Sequence, residues 1–89
     1  MIEITAVRMS GGRHEHITDL RWRNPTDGEV GVSTRTEMVH FLAQQNGQAY
    51  VKDGIGAVEV HVVQANPPYV QTYRDGRWTD NLLALPRFN

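Results

Sequence analysis

The sequence predicts an α+β domain: an antiparallel sheet of four to five strands with one α-helix packed on one face. The expected order is β-β-α-β-β-β, and the expected architecture is a two-layer sandwich. Three observations carry this expectation. Short segments rich in β-branched residues stand at both ends of the chain and end at Gly, Asn or Pro clusters. One central segment has helix start and stop signals around a single apolar stripe. A lone helix with one apolar stripe must cover something, and an antiparallel sheet with one wet face is its natural partner.

The first strand is IEITAVRM, residues 2–9, which stops at Ser10-Gly11-Gly12. Strict alternation puts Ile2, Ile4, Ala6 and the Arg8 stem on one face, and Glu3, Thr5, Val7 and Met9 on the other. Apolar residues on both faces predict partial cover on both sides. The second strand is HITDLRWR, residues 16–23. His16, Thr18, Leu20 and Trp22 share one face; Ile17, Asp19, Arg21 and Arg23 share the solvent face. Asn24-Pro25-Thr26-Asp27-Gly28 gathers turn formers and ends it.

The helix is expected over residues 34–46 of VGVSTRTEMVHFLAQQNG. Thr34 and Glu37 have the spacing of a capping box, and Asn46-Gly47 supplies a C-terminal stop. Met38, Phe41, Leu42 and Gln45 fall on one stripe with Val39 on its shoulder. QAYVKD then reads as a short third strand, with a turn at Gly54-Ile55-Gly56. In residues 57–64, Val58, Val60 and Val62 point inward and Glu59 and His61 outward. Residues 69–74, YVQTYR, form the last strand, followed by an Asp75-Gly76 turn. The tail is expected to start a helical turn at Asp80 and to stop at Pro86.

The 89 residues fit one domain, residues 1–89. The absence of Cys excludes disulfides, thiolate zinc sites and a Cys nucleophile. Nine Lys plus Arg against ten Asp plus Glu give a net charge of −1. That balance argues against nucleic acid as a partner, since phosphate neutralisation calls for a basic excess. The N-terminal MIEITAVRMS carries Glu3 and no long apolar run, so it is not a signal peptide. LLAL is far too short to span a membrane. The expectation is a soluble cytoplasmic protein with no membrane partner.

Several residues stand in a familiar order. ITAVR opens the chain, DGEVGVSTRTEMVHFLAQQNGQAYV holds the centre, and YVQTYRDGRWTDNLLALPRF closes it. The closing signature is Tyr69, Val70 and Thr72, then Asp80, Asn81, Leu82, Leu85 and Pro86. In these features the chain resembles the bacterial and phage-encoded domain of unknown function 3892 family over nearly its whole length. The resemblance implies a small single domain. It implies no reaction and no catalytic residues.

Ser10-Gly11-Gly12-Arg13-His14-Glu15-His16 is the segment richest in chemical groups. Consecutive amides of a glycine turn can cradle an anion, with Ser10 adding a hydroxyl and Arg13, Arg8 and Arg74 adding charge. Against this, a strand follows the glycines rather than a helix, and neither Walker spacing nor GxGxxG is present. A hairpin connection is the simpler reading. His14 and His16 can chelate from one strand face, but His40 and His61 lie elsewhere and no metal is expected. Arg21, Arg23, Arg74 and Arg77 with Trp22 and Trp78 outline a strip for single-stranded nucleic acid. However, Trp22 has the opposite parity from its flanking arginines. Leu82, Leu83 and Leu85 are expected to fold back into the core.

No serine elbow, carboxylate pair or cofactor motif is present, so neither an enzyme nor a cofactor is expected. The leading functional expectation is a non-enzymatic interaction module that binds a protein partner or itself through its sheet, as a homo-oligomer in the second case. Val63 and Val70 are candidate apolar contacts for such a dimer. The alternatives are a small anionic ligand or nucleotide at Arg8, Ser10, Gly11, Gly12, Arg13 and Arg74, and single-stranded nucleic-acid binding.

Overall fold

The computed structural model describes all residues, Met1–Asn89. Seven strands and one helix follow the chain in the order β1 (Ile2–Met9), β2 (Ile17–Arg23), β3 (Val30–Thr34), α1 (Arg35–Gln44), β4 (Ala49–Lys52), β5 (Ala57–Val63), β6 (Tyr69–Arg74) and β7 (Arg77–Thr79). The α+β class holds. The expected four to five antiparallel strands are corrected to one seven-stranded mixed sheet, ordered β3-β2-β1-β4-β5-β6-β7. Every pair is antiparallel except β1 with β4, which run parallel. Two antiparallel meanders, β3-β2-β1 and β4-β5-β6-β7, therefore meet along a parallel seam. A parallel junction needs a long crossover, and the segment from β2 through α1 supplies it.

Two of the strands, β3 and β7, lie outside the expected set, for different reasons. The turn at Asn24–Gly28 is built as expected: Asn24 Oδ1 accepts from Thr26 N–H and Asp27 Oδ1 from Glu29 N–H. The segment after it is strand, not a lead-in to the helix, so β2 and β3 form a hairpin with Arg21 opposite Val32. At the other end, Asp75 (φ 52) and Gly76 (φ 79) form a two-residue turn with positive φ at both positions. This is the geometry that suits a tight hairpin, and it returns the chain as β7.

The expected faces of β1 and β2 are also corrected. The β1–β2 register shifts at Thr5 and again at Thr18, because each strand holds one extra residue. Each such bulge reverses the alternation. Ile4 and Val7 are consequently both fully buried, as are Leu20 and Ile17. Thr5 Oγ1 donates to Arg21 O at 3.4 Å, and Thr18 Oγ1 to Arg8 O at 3.2 Å. Each bulge thus carries a hydroxyl that bonds across to the opposite strand.

Helix α1 starts at the capping box read from the sequence. Thr34 Oγ1 accepts from Glu37 N–H at 3.1 Å, and Thr34 N–H donates to Glu37 Oε1 at 2.8 Å. It ends at Gln44, earlier than expected, and Gly47 N–H closes it by bonding Phe41 O at 2.9 Å. The helix lies against β2, β3, β5 and β6. Met38 enters the core with Ile4, Val7, Leu20, Val51, Val60 and Leu82, while Val39, Phe41 and Leu42 pack at its margin. The helix is not long and apolar enough to cross a membrane.

Candidate functional site

Three regions bear on function: the glycine turn, the closing tail, and the β3 edge with the cleft beside it. The turn between β1 and β2 is bonded mainly to itself. Ser10 N–H donates to His16 O at 2.8 Å, His16 N–H to Arg13 O at 2.9 Å, and Arg13 N–H to His16 Nδ1 at 3.2 Å. The His16 ring lies over Gly11: a β-carbon there would sit 2.4 Å from Nδ1. The Arg13 amide and the Gly11 surface are therefore engaged by His16. Residues 14–16 form a single 3-10 turn, so the expected chelating parity of His14 and His16 is lost. His14 turns inward and is buried, its Nε2 without a hydrogen-bond partner and 4.0 Å from Asp80 Oδ1. Burial lowers its pKa, opposed by the Asp80 and Glu15 carboxylates.

The three arginines grouped with this turn each engage a different carboxylate. Arg8 pairs with Asp19 and Arg13 with Glu15, both at 3.1 Å, and Arg74 with Asp53 at 3.0 Å. No hydrogen bond joins Arg8 or Arg74 to Ser10, Gly11, Gly12 or Arg13. Arg8 also stacks on the Phe88 ring, with Arg21 over the same ring. No three His, Asp or Glu side chains gather as metal ligands. Of the two valines named for a dimer contact, Val70 is corrected: it points inward and is fully buried.

The closing residues fold onto the sheet. Thr72, fully buried on β6, donates its hydroxyl to Thr79 O at 3.0 Å and accepts from Asn81 N–H at 3.2 Å. Asn81 Nδ2 donates to Asp53 Oδ2 at 3.0 Å. Asp53 also accepts from Arg74 and from Ile55 and Gly56 N–H. These bonds, the Arg74 bond foremost, pull its pKa down to about 2. Leu82 follows directly and is fully buried in the core. Residues 80–85 turn through three i→i+3 bonds, and Pro86–Phe88 then pair with β1 at Val7.

Thr72, Asn81 and Leu82 belong to the closing signature, so much of that signature is a docking device for the tail. A family profile described as "Protein of unknown function (DUF3892)" matches residues 3–86 of the 89. The chain belongs to the DUF3892 family. No curated protein sequence and no solved structure matches it.

In this DUF3892 domain the sheet has two edges. β7 is only three residues long. β3 is longer, and its register with β2 is unbroken across all five residues. Val30 is 68% exposed and Val32 50% exposed. The strand reads VGVST and has no charge and no Pro. Charge, Pro and bulges are the usual means by which a sheet edge is kept from pairing with another chain, and β3 has none of them.

Behind β3, between it, the start of β1 and the outer turns of α1, lies a cleft of about 720 Å³. Its apolar surface comes from Met1, Ile2, Trp22, Met38 and Phe41. Trp22 Nε1–H donates to Ser33 Oγ at 3.0 Å, which ties the indole to β3. Both aromatic rings rest on glycines. A β-carbon at Gly31 would lie 2.5 Å from Trp22, and one at Gly47 2.3 Å from Phe41. Trp22 and Phe41 carry a core pattern in the sequence, while the cleft has no local signal, because only the β3 hairpin brings Ser33 and Glu29 up to the helix.

Proposed function

We propose that this protein is a non-enzymatic interaction module that self-associates by pairing β3 with β3 of a second copy. The observation that carries this reading is the unguarded, regular edge with its two exposed valines. In this reading the helix and the sheet form two layers, and the β3 edge stays open at one side. A two-fold antiparallel pairing centred on Val32 sets Val30 opposite Thr34 of the second copy, and the same patch serves both copies. The net charge of −1 supports it, since little self-repulsion opposes contact between copies. A cytoplasmic setting suits a chain with no Cys.

A five-residue strand pair is a small interface, so association is weak and concentration-dependent. Sedimentation velocity over a micromolar-to-millimolar series is expected to show a monomer passing to a dimer. Val32→Lys is expected to hold the protein monomeric with an unchanged circular dichroism spectrum. Amide exchange in Val30–Thr34 should slow as concentration rises. A wild-type protein that stays monomeric throughout the series defeats the proposal, as does a dimer insensitive to Val32→Lys.

A further inference from the structure

The cleft behind β3 has a chemical character independent of the edge pairing. We propose that it binds a small organic cation: an ammonium group carried on an aromatic or aliphatic body. Its volume, about 720 Å³, lies within the range of small-molecule sites, which run to roughly 300–1,000 Å³. Trp22 and Phe41 offer the apolar surface such a body needs. Their glycine seats at Gly31 and Gly47 leave no slack beneath the rings, so the surface is formed before any ligand arrives. The Trp22 N–H is already committed to Ser33. The indole therefore offers its π system rather than a hydrogen bond, and cations favour that face.

Charge decides the ligand class. Of the protein's nine Lys and Arg residues, none lines the cleft. The carboxylates that line it are Glu29 and Glu37; the exposed His40 and the α-amino group of the exposed Met1 are the other titratable groups, so acidic groups outnumber the one amine. Glu37 uses Oε1 to accept from the Thr34 amide and keeps Oε2 free. The Glu29 side chain makes no hydrogen bond or ion pair within the chain. Two carboxylates with spare acceptor capacity beside two aromatic rings outweigh the single Met1 amine, and so favour an ammonium over a phosphate or carboxylate.

The test is a titration of the nitrogen-15-labelled protein at neutral pH with phenethylamine, its carboxylate counterpart hydrocinnamate, and neutral phenethyl alcohol. Phenethylamine is expected to shift the Trp22 indole N–H and the amides of Ser33, Met38 and Phe41, and to bind about tenfold more tightly than hydrocinnamate. Glu29→Gln and Glu37→Gln are each expected to weaken the amine by roughly two- to fivefold, as for exposed ion pairs. The double variant should lose most of the preference for amine over alcohol, keeping only the share the Trp22 ring supplies. Gln at 37 can still serve the capping box, so the helix start is kept. No shifts at millimolar amine, shifts centred elsewhere, or equal binding of amine and alcohol by the wild type overturns the assignment. The Val32→Lys monomer should bind the amine as the wild type does, which separates this site from the edge pairing.

Discussion

Gly31 shows how much one missing side chain can decide. Its φ is not in the left-handed region, so the backbone there suits any residue; what requires glycine is space. The Trp22 indole occupies the volume a β-carbon would take, and its bond to Ser33 keeps it there. Gly31→Ala brings two opposing effects. A less flexible unfolded chain stabilises by about 0.4–1 kcal/mol, while forcing the indole aside costs about 1–3 kcal/mol. The steric effect wins, so urea unfolding should show a net loss of about 1 kcal/mol or more and a displaced Trp22 indole N–H resonance. Gly12→Ala is the control: nothing lies within 4 Å of a β-carbon there, and stability should hold or rise slightly. The glycine pair Gly11-Gly12 drew attention in the sequence as an anion cradle. Gly31 drew none, because its role depends on a ring nine positions earlier that only the hairpin brings over it.

At the scale of elements, the tail and the helix were legible and the sheet only in part. The capping box at Thr34 and Glu37 is a local pattern, and it appears where the spacing placed it. The leucines of the tail were expected inside, and Leu82 is. Leu82→Ala removes a fully buried side chain and should destabilise the fold by about 2–5 kcal/mol in denaturant unfolding. It should also speed amide exchange at Val7 and Phe88, whose pairing depends on a docked tail. Strand faces were less legible. Alternation assumes an unbroken register, and the bulges at Thr5 and Thr18 each add a residue that reverses it. The parallel pairing of β1 with β4 had no local signal at all, since the paired residues are remote in the chain. For the same reason the candidate site was illegible: Trp22, Ser33, Glu37 and Phe41 sit on three elements.

For the whole molecule, three ionisable groups bear on how stability follows pH: Asp53, His14, and Glu15, whose carboxyl pKa is lowered by a backbone hydrogen bond and by Arg13. The Asp53 carboxylate joins the β4–β5 turn, β6 and the tail, and its pKa is about 2 in the folded protein. Unfolded, it titrates near 3.9, so the unfolded state takes up the proton first. Its contribution is full above that value and is lost as pH falls toward about 2. His14 acts higher in the range. Burial lowers its folded pKa below the ordinary value of about 6.5, so its contribution is complete above that pH and declines below it. Urea midpoints should therefore fall in two stages on acidification. Asp53→Asn should shrink the lower stage, leaving the Glu15 share, and His14→Gln should flatten the upper, with each variant leaving the other stage in place.

The seam between the two meanders also has a mechanical meaning. On its seam side β1 is held in succession by two short partners, β4 at Ile2 and Glu3 and the tail at Val7. The other strand pairs join three to six residues of each strand, β1–β2 across its two bulges. A load drawing the halves apart would crease the molecule along that line, with α1 as the strap across the fold.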